Sequence, residues 1–418
     1  MITFFCCKEN VKLSYSMDKY NLSSEFKGVP SVQEVNGEDI YFCDPVFYQQ
    51  QLEIYANQFN RSAKDVFVSI DMNSICSLKE YPKDIAYGNF EDNFREFKGK
   101  PEIKIGIVNA FTPSSMPGIG DNFIAMQAFS YWCAKIHTYL PDTKVSISLF
   151  QTNPLKVKEV FKHDDIKSTY VLPSNLMLLL DQDVFIDFGP LNMTDKSEAK
   201  RIQNWNIQRD YQTLNMFDFY LKAFSINPEI VHPVHKRATY PSKEIQMIDI
   251  PTDRFVLLFH HKASNAIRSL EDERAIKIIN EIIEKSDYFV VSALSLDCKN
   301  ERFLDISDQS KSLDNLANII SQVDAIITVD TCVYHLADAF DIPTVVLFST
   351  INPEIRIKYY PFVKGIMYED KQGAIFGKHA LSEDSREAEK ELEYLKTVWD
   401  KINVDEILHQ LELVRSSN

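Results

Sequence analysis

Apolar strands alternate with amphipathic helices in two separate stretches of the chain, and this alternation constrains the fold more than any other feature. The first stretch opens with the apolar run 103–108. It continues through a helical pattern over 121–140, with apolar residues three to four positions apart, to a second run at 144–150. The same order recurs over 254–348. Strand, helix, strand in this order predicts parallel sheets with crossover helices. The sequence therefore predicts an α/β fold with two Rossmann-like, doubly wound lobes.

The two lobes divide the rest of the chain into segments. With 418 residues, the chain is too long for a single hydrophobic core. Before the first lobe, short β-like runs mix with polar, aromatic-rich stretches, which predicts an α+β extension. A polar stretch containing several prolines separates the lobes, which predicts a linker. The predicted segments are the extension at 1–100, the N-terminal lobe at 101–228, the linker at 229–253, the C-terminal lobe at 254–380 and closing helices at 381–418.

Charge and cysteine content argue against several classes of protein. The net charge of -15 at pH 7 disfavours binding to nucleic acid, because such binding needs an excess of basic side chains. No run of roughly 18 apolar residues occurs, so we expect no membrane span. The seven cysteines include no C-x-x-C pair, and the first residues lack the pattern of a secretory signal. We therefore predict a cytoplasmic protein with reduced thiols.

A glycine-aspartate sequence marks the start of the first predicted long helix. Gly118 and Gly120 would let backbone amides approach a ligand, and a helix N-terminus favours negative charge there. Asp121 could accept a proton from an attacking hydroxyl. The same aspartate could equally serve only as a helix cap. Phe123 stands where a dinucleotide-binding fingerprint has its third glycine, so this is not that motif.

A second polar cluster follows a predicted strand of the C-terminal lobe. Asp330 and Thr331 come directly after the strand, and a helix starts behind them. A carboxylate, a hydroxyl and free helix amides at one point can hold a diphosphate and sugar hydroxyls. His335 lies four residues after Thr331 and so shares its helix face. The alternative is a helix cap followed by a buried histidine, and spacing alone leaves both interpretations open.

These residues together resemble the heptosyltransferase family of inverting glycosyltransferases. The resemblance rests on Gly120-Asp121 opening a helix, on Asp-Thr-x-x-x-His-Leu-Ala at 330–337 and on Pro-Thr-Val-Val-Leu-Phe at 343–348, and it spans about 103–360. It implies the GT-B fold and inverting transfer from a nucleotide-diphosphate sugar, with an ADP-sugar and heptose favoured. The acceptor would be the hydroxyl of a glycan, a lipid-linked saccharide or a protein. The N-terminal lobe would bind the acceptor and the C-terminal lobe the donor, with no cofactor and no metal.

The resemblance assigns catalytic roles to two residues. Asp121, next to the donor-binding Gly120, would be the general base that takes the proton of the acceptor. A basic residue after the first strand of the C-terminal lobe would stabilise the leaving diphosphate. Arg268 is the preferred candidate and Lys262 the second, and Ser264 in the same stretch is expected to bind the donor.

The remaining assignments lie in the second cluster. By resemblance, Asp330 would bind the sugar, Thr331 and the backbone amide of Cys332 would bind the phosphates, and His335 would orient this loop. Two positions depart from the family pattern. Cys332 stands where the family has a small residue, often glycine, and Ser349 replaces a glycine that often follows the next strand.

Other functions remain open at the level of sequence. A two-lobed sugar-nucleotide epimerase or hydrolase could use the same cleft, and formation of product without an acceptor would reveal it. A non-catalytic nucleotide-sugar-binding scaffold would bind without turnover. Histidines at 232, 235, 260 and 261 lack nearby cysteines and helical spacing, so they predict no metal site.

Overall fold

The computed structural model describes most of the chain after residue 83. The described ranges are 3–7, 33–35, 38–43, 67–70, 83–108, 119–150, 163–170, 182–188, 206, 209–211, 213–240, 248–378, 381–382 and 384–416. These residues form two compact units. The first unit takes its described residues from 1–117, 132–208 and 223–226, and the second from 118–131, 209–222 and 227–418.

The first unit contains a small antiparallel sheet from the N-terminal region. Its strands are β1 (Thr3–Cys7), β2 (Gln33–Val35), β3 (Glu38–Cys43) and β4 (Phe67–Ile70), in the order β2-β3-β1-β4. β1 pairs antiparallel with both β3 and β4. The β-like run at 65–70 in the sequence corresponds to β4.

A five-stranded parallel sheet is the second part of this unit. Its order is β5-β9-β6-β7-β8, formed by β5 (Lys83–Asp84), β6 (Glu102–Val108), β7 (Lys144–Phe150), β8 (Ile166–Tyr170) and β9 (Val184–Asp187). The short helix α1 (Phe90–Phe94) precedes β6, and the long helix α2 (Ile119–Tyr139) connects β6 to β7. In the C-terminal part of α2, Trp132 is fully buried and stacks on Phe224 with ring centroids 5.2 Å apart. The apolar stripe of this helix therefore forms part of the core, as the sequence predicts.

The second unit is built on a six-stranded sheet in which every pair is parallel. Its order is β12-β11-β10-β13-β14-β15, formed by β10 (Val256–His260), β11 (Phe289–Ser292), β12 (Phe303–Asp305), β13 (Ala325–Val329), β14 (Thr344–Phe348) and β15 (Val363–Met367). Every residue of β10, β13 and β14 is buried. Continuous apolar runs of this kind are typical of central parallel strands that are covered on both faces.

The helices of the second unit follow from local sequence signals. They are α3 (Met216–Ala223, whose last residue lies in the first unit), α4 (Asp272–Lys285), α5 (Leu313–Ile320), α6 (Cys332–Ala339), α7 (Pro353–Arg356), α8 (Ser385–Trp399) and α9 (Val404–Ser416). On α4, buried isoleucines at 278, 279, 282 and 283 form one apolar stripe. Ser312 accepts the backbone N–H of Asn315, and Asn403 accepts that of Glu406, so each side chain caps the start of its helix.

The predicted fold class, two Rossmann-like α/β lobes of the GT-B type, is confirmed by these two parallel sheets. Local boundaries differ in a few places. From its spacing of apolar residues, the sequence predicts a helix over 210–224, whereas α3 spans Met216–Ala223 and follows helical residues at 209–211 and 213. Edge strands β12 and β15 were not predicted, because their half-exposed residues break the apolar pattern. Across the described parts of the chain, no helix combines the length and the apolar character needed to cross a membrane.

Candidate functional site

The centre of the candidate site is the point where β13 ends and α6 begins. Asp330 directly follows β13 and is buried, and Thr331 is the N-cap residue of α6. The Thr331 side chain makes no capping hydrogen bond, so the first backbone amides of α6 have no partner from this hydroxyl. One carboxylate oxygen of Asp330 accepts a hydrogen bond from the Tyr334 hydroxyl at 3.2 Å. A fixed carboxylate and a helix N-terminus therefore meet at the carboxyl end of a central strand, where α/β sheets bind ligands.

Arg268 lies beside Asp330, as the preferred assignment from sequence requires. It ends a 3-10 turn at Ala266–Arg268, and its Nη1 donates to the Oδ2 of Asp330 at 3.2 Å and to the Asp330 carbonyl at 3.1 Å. Its Nη2 donates to Ser264 Oγ at 3.2 Å. Burial opposes the charge of Arg268, but Asp330 raises the pKa of the guanidinium above its ordinary value. The buried Nε of Arg268 finds no acceptor among the described residues.

The departure at Ser349 has a structural explanation. Its buried hydroxyl donates to the carbonyl of Ile267 at 2.8 Å, one residue before Arg268. This bond fixes the 3-10 turn against the carboxyl end of β14. The serine therefore supports the position of Arg268.

Gly120 and Asp121 occupy the first turn of α2, in the part that belongs to the second unit. A side chain at position 120 would come within 3.1 Å of His335 Cδ2 and 3.2 Å of Cys332 Cα. These short distances explain why position 120 is glycine, because a Cβ there would push α2 away from α6. Since glycine has no Cβ, Gly120 and Asp121 can lie next to Cys332 and His335.

Asp121 and Asp330 have opposite electrostatic environments. Burial raises the pKa of Asp121, although Arg356, Arg268 and a 3.2 Å hydrogen bond from the Tyr211 hydroxyl act in the other direction. Burial also acts to raise the pKa of Asp330, but there the charges of Arg268 and Arg356 prevail and the pKa is lowered. Asp330 is thus a permanent anion, whereas Asp121 has a carboxyl group whose basicity is enhanced. A raised pKa is what a general base needs.

Arg356 is the principal site residue that the sequence analysis missed. It ends the short helix α7 and is only 6% exposed. The Asn215 side chain donates to the backbone carbonyls of Ile355 and Arg356, at 2.9 and 3.2 Å, and so holds α7 in place. The Arg356 charge lowers the pKa of both Asp121 and Asp330, yet its guanidinium makes no hydrogen bond or ion pair with the described residues. Its Cζ lies 5.9 Å from the centroid of the Tyr211 ring. A buried cation that pairs with no carboxylate among the described residues is suited to an anionic ligand.

His335 is held behind the start of α6. Its Nδ1 lies 2.7 Å from the Tyr360 hydroxyl, and its ring centroid is 3.9 Å from that of Tyr334. Burial lowers the pKa of His335 to about 3, and the charges of Arg356 and Arg268 act in the same direction against the attraction of Asp330. The histidine is therefore neutral at physiological pH. Its contacts with Tyr360, Tyr334 and Gly120 fit the predicted orienting role.

The structure does not bring every predicted residue to this point. Lys262, the second choice for the cation, forms an ion pair with Asp272 at 2.6 Å and is half-exposed. His261 contacts the same carboxylate through Nε2 at 3.0 Å. Cys332 is the first residue of α6, where burial raises the pKa of its thiol. Its position beside Gly120 shows that the cysteine fits into this loop.

Tyr211 provides a test of the electrostatics around Asp121. Its hydrogen bond lowers the pKa of Asp121, so Tyr211→Phe should raise that pKa further. If Asp121 acts as a base, the acidic limb of the pH profile of kcat/KM should move to higher pH. The measurement is kcat/KM against pH for the wild type and the variant. Tyr131→Phe, on the same unit, should leave the limb in place, and an unchanged limb for Tyr211→Phe would contradict the assignment.

Two Rossmann-like sheets and a carboxylate-arginine cluster at the carboxyl end of β13 are features of a glycosyltransferase of the GT-B class. Residues 293–389 match the family model of glycosyltransferase family 9 (heptosyltransferase). The match confirms the predicted resemblance to the heptosyltransferase family within the C-terminal lobe. It includes Asp330, Thr331, Cys332, His335 and Arg356. Asp121 and Arg268 lie outside the matched range.

Solved structures with similar folds share little sequence with this chain. The ADP-heptose LPS heptosyltransferase II of E. coli is 13% identical, with a TM-score of 0.40, over 71% of this chain and 98% of its own. E. coli heptosyltransferase WaaC, solved with ADP, is 11% identical, with a TM-score of 0.39, over 71% of this chain and 100% of its own. The iron-containing dodecameric glycosyltransferase TibC of enterotoxigenic E. coli H10407 is 10% identical, with a TM-score of 0.46, over 77% of each chain. No curated protein matches the chain.

Proposed function

We propose that this protein is an inverting glycosyltransferase that moves a sugar, with heptose favoured, from a nucleotide-diphosphate sugar to an acceptor hydroxyl. The observation that carries the proposal is the pair of arginines, Arg268 and Arg356, whose charges act on both Asp121 and Asp330. The guanidinium of Arg356 and the Nε of Arg268 have no acceptor among the described residues. Together with the amides at the start of α6, they suit the diphosphate of a sugar nucleotide.

The proposed reaction uses the contrast between the two aspartates. Asp121, whose pKa is raised, takes the proton of the acceptor hydroxyl. The acceptor oxygen then attacks the anomeric carbon as the bond from that carbon to the diphosphate oxygen breaks. Attack from the face opposite the leaving group inverts the configuration. Asp330 remains ionised and, beyond its bonds to Arg268 and Tyr334, has lone pairs left to accept sugar hydroxyls.

Leaving-group stabilisation falls to the two arginines and the start of α6. Negative charge grows on the diphosphate as the sugar bond breaks. We assign the stabilisation of this charge to Arg268, Arg356 and the backbone amides after Thr331, because fixed donors need little reorganisation during the reaction. This arrangement needs no metal for charge neutralisation.

The proposal also specifies the donor, the acceptor and the compartment. The resemblance favours an ADP-sugar, and the acceptor is a hydroxyl of a glycan, a lipid-linked saccharide or a protein. We place the reaction in the cytoplasm, in line with the cysteine content of the chain.

Nucleotide binding tests the proposal directly. We expect ADP or an ADP-sugar to raise the Tm more than UDP, GDP or CMP at equal concentration. A ligand at about 100 times its Kd adds about 2.7 kcal/mol to the stability of the folded state, which is readily detected. Selective stabilisation by UDP or GDP would assign a UDP-sugar or a GDP-sugar as the donor in place of an ADP-sugar. The absence of a shift with every nucleotide and nucleotide sugar would overturn the proposal.

Turnover then separates transfer from the alternatives. The donor should be consumed with an acceptor present and should be stable without one. Consumption without any acceptor would indicate a hydrolase or an epimerase. The Arg268→Gln variant, which removes a cation of the donor site, should lose the nucleotide-induced increase in Tm.

A further inference from the structure

A second group of chemically active side chains lies in the first unit, outside the candidate donor site. Cys133 and His137 are on α2, and His163 and Asp165 precede β8. Ligand atoms of Cys133, His163 and Asp165 lie within 4.8 Å of one another. His137 lies next to this group of three and contacts one member of it, since its Nε2 is 2.8 Å from the Oδ2 of Asp165. None of the four has a role in the proposed transfer.

We propose that these four side chains bind a Zn²⁺ ion that fastens α2 to the edge of the five-stranded sheet. One thiolate, two imidazoles and one carboxylate form a donor set that suits zinc, and four protein ligands are typical of a structural site. Cys133 and His137 are four residues apart on a helix and so project from the same face. The proposal is independent of the glycosyltransferase function.

One pair of ligand atoms already has the separation that a tetrahedral ion requires. Zinc bonds of about 2.0–2.3 Å place neighbouring ligand atoms roughly 3.3–3.8 Å apart. His163 Nδ1 and Asp165 Oδ2 are 3.6 Å apart. This nitrogen now accepts the backbone N–H of Asp165 at 3.3 Å, a hydrogen bond that the ion would replace. The His137–Asp165 contact is a direct hydrogen bond, which the ion would replace. The His137 side chain would have to move toward Cys133 and His163 to complete the coordination sphere.

Backbone contacts hold the second pair of ligands in place. The Ile147 amide on β7 donates to the Asp165 carbonyl at 3.0 Å, and the Ile166 amide donates to the His163 carbonyl at 3.0 Å. Cys133 is 1% exposed, whereas the His137 side chain is 47% exposed. The site therefore has a buried sulfur ligand and an open side through which an ion can enter.

Cobalt binding to the full-length chain tests the proposal. After treatment with a chelator, the protein is titrated with Co²⁺ alone, and the thiolate-to-metal charge-transfer band and the tetrahedral d–d bands are recorded. We expect one equivalent to bind with both signals and Zn²⁺ to displace it. Cys133→Ser should abolish the charge-transfer band, while Cys298→Ser, a second buried thiol outside the cluster, should keep it.

Histidine variants keep the test decisive if Cys133→Ser does not fold. His137→Ala changes a half-exposed side chain and should weaken Co²⁺ binding at least about 10-fold, since the loss of even an outer-shell partner typically costs 10- to 100-fold. His163→Ala should weaken it at least as much. Absence of the charge-transfer band in the wild type, or wild-type affinity in both histidine variants, would overturn the proposal. Neither result depends on nucleotide binding, so failure here and failure of the proposed function are distinguishable.

Discussion

Replacement of Asp121 by asparagine should reduce kcat by about 100- to 10,000-fold, the range that a general base commonly contributes. Asparagine has nearly the same shape but cannot take a proton. Donor binding should remain nearly intact, because Arg268, Arg356 and the Thr331 loop are unchanged. The measurement is kcat from initial rates, together with the Kd for ADP from calorimetry.

Stability distinguishes a lost base from a damaged fold. The pKa of Asp121 is raised in the folded protein, so its ionisation costs stability as the pH rises through that pKa. Asparagine removes this cost, and the Tm at neutral pH should not fall. Asp142→Asn, at an exposed residue after α2, should keep the wild-type kcat. An active Asp121→Asn enzyme would exclude this residue as the base.

Arg356→Gln should have the second largest effect, a loss of about 100- to 1,000-fold in kcat, comparable to the loss of one oxyanion-stabilising donor. The variant removes a buried positive charge that no described carboxylate pairs with. ADP should bind about 10- to 100-fold more weakly, as expected for the loss of a charged hydrogen bond. Initial rates and calorimetry with ADP measure the two effects.

The pH profile supplies an independent readout for Arg356. Its charge lowers the pKa of Asp121, so the acidic limb of kcat/KM should move to higher pH in Arg356→Gln. Arg356→Lys should keep this limb near its original position, because the charge remains. Arg254→Gln, at an exposed residue before β10, is the matched control and should change neither rate nor pH profile. Wild-type ADP affinity in Arg356→Gln would show that this arginine does not contact the diphosphate.

Several features of the protein are local and could be predicted from the sequence. Strand and helix periodicity gave both parallel sheets, since a buried strand or an amphipathic helix needs a specific spacing of apolar residues. The caps at Ser312 and Asn403 are formed within one helical turn. The Asp330–His335 motif is contiguous, so its position at the end of β13 follows from the order of elements alone. These features depend on residues close in the chain.

The tertiary structure decided which distant side chains meet. Tyr211 reaches Asp121 across 90 positions, and Arg268 reaches Asp330 across 62. Periodicity could not select Arg268 over Lys262, because both follow β10 and only packing directs one toward Asp330 and the other toward Asp272.

The positions of Arg356 and of the side chains around Cys133 could be predicted from the sequence even less well. Arg356 belongs to a one-turn helix with no motif, and its role depends on α7 packing beside Asp121 and Asp330. Cys133 belongs to an apolar stripe that predicts a core residue, and only the pairing of β7 with β8 brings His163 and Asp165 to it. The sequence by itself therefore determined the elements and the contiguous donor motif, because these depend on spacing along the chain. The charges that surround the motif were decided by packing, because electrostatic interactions depend on distance in space.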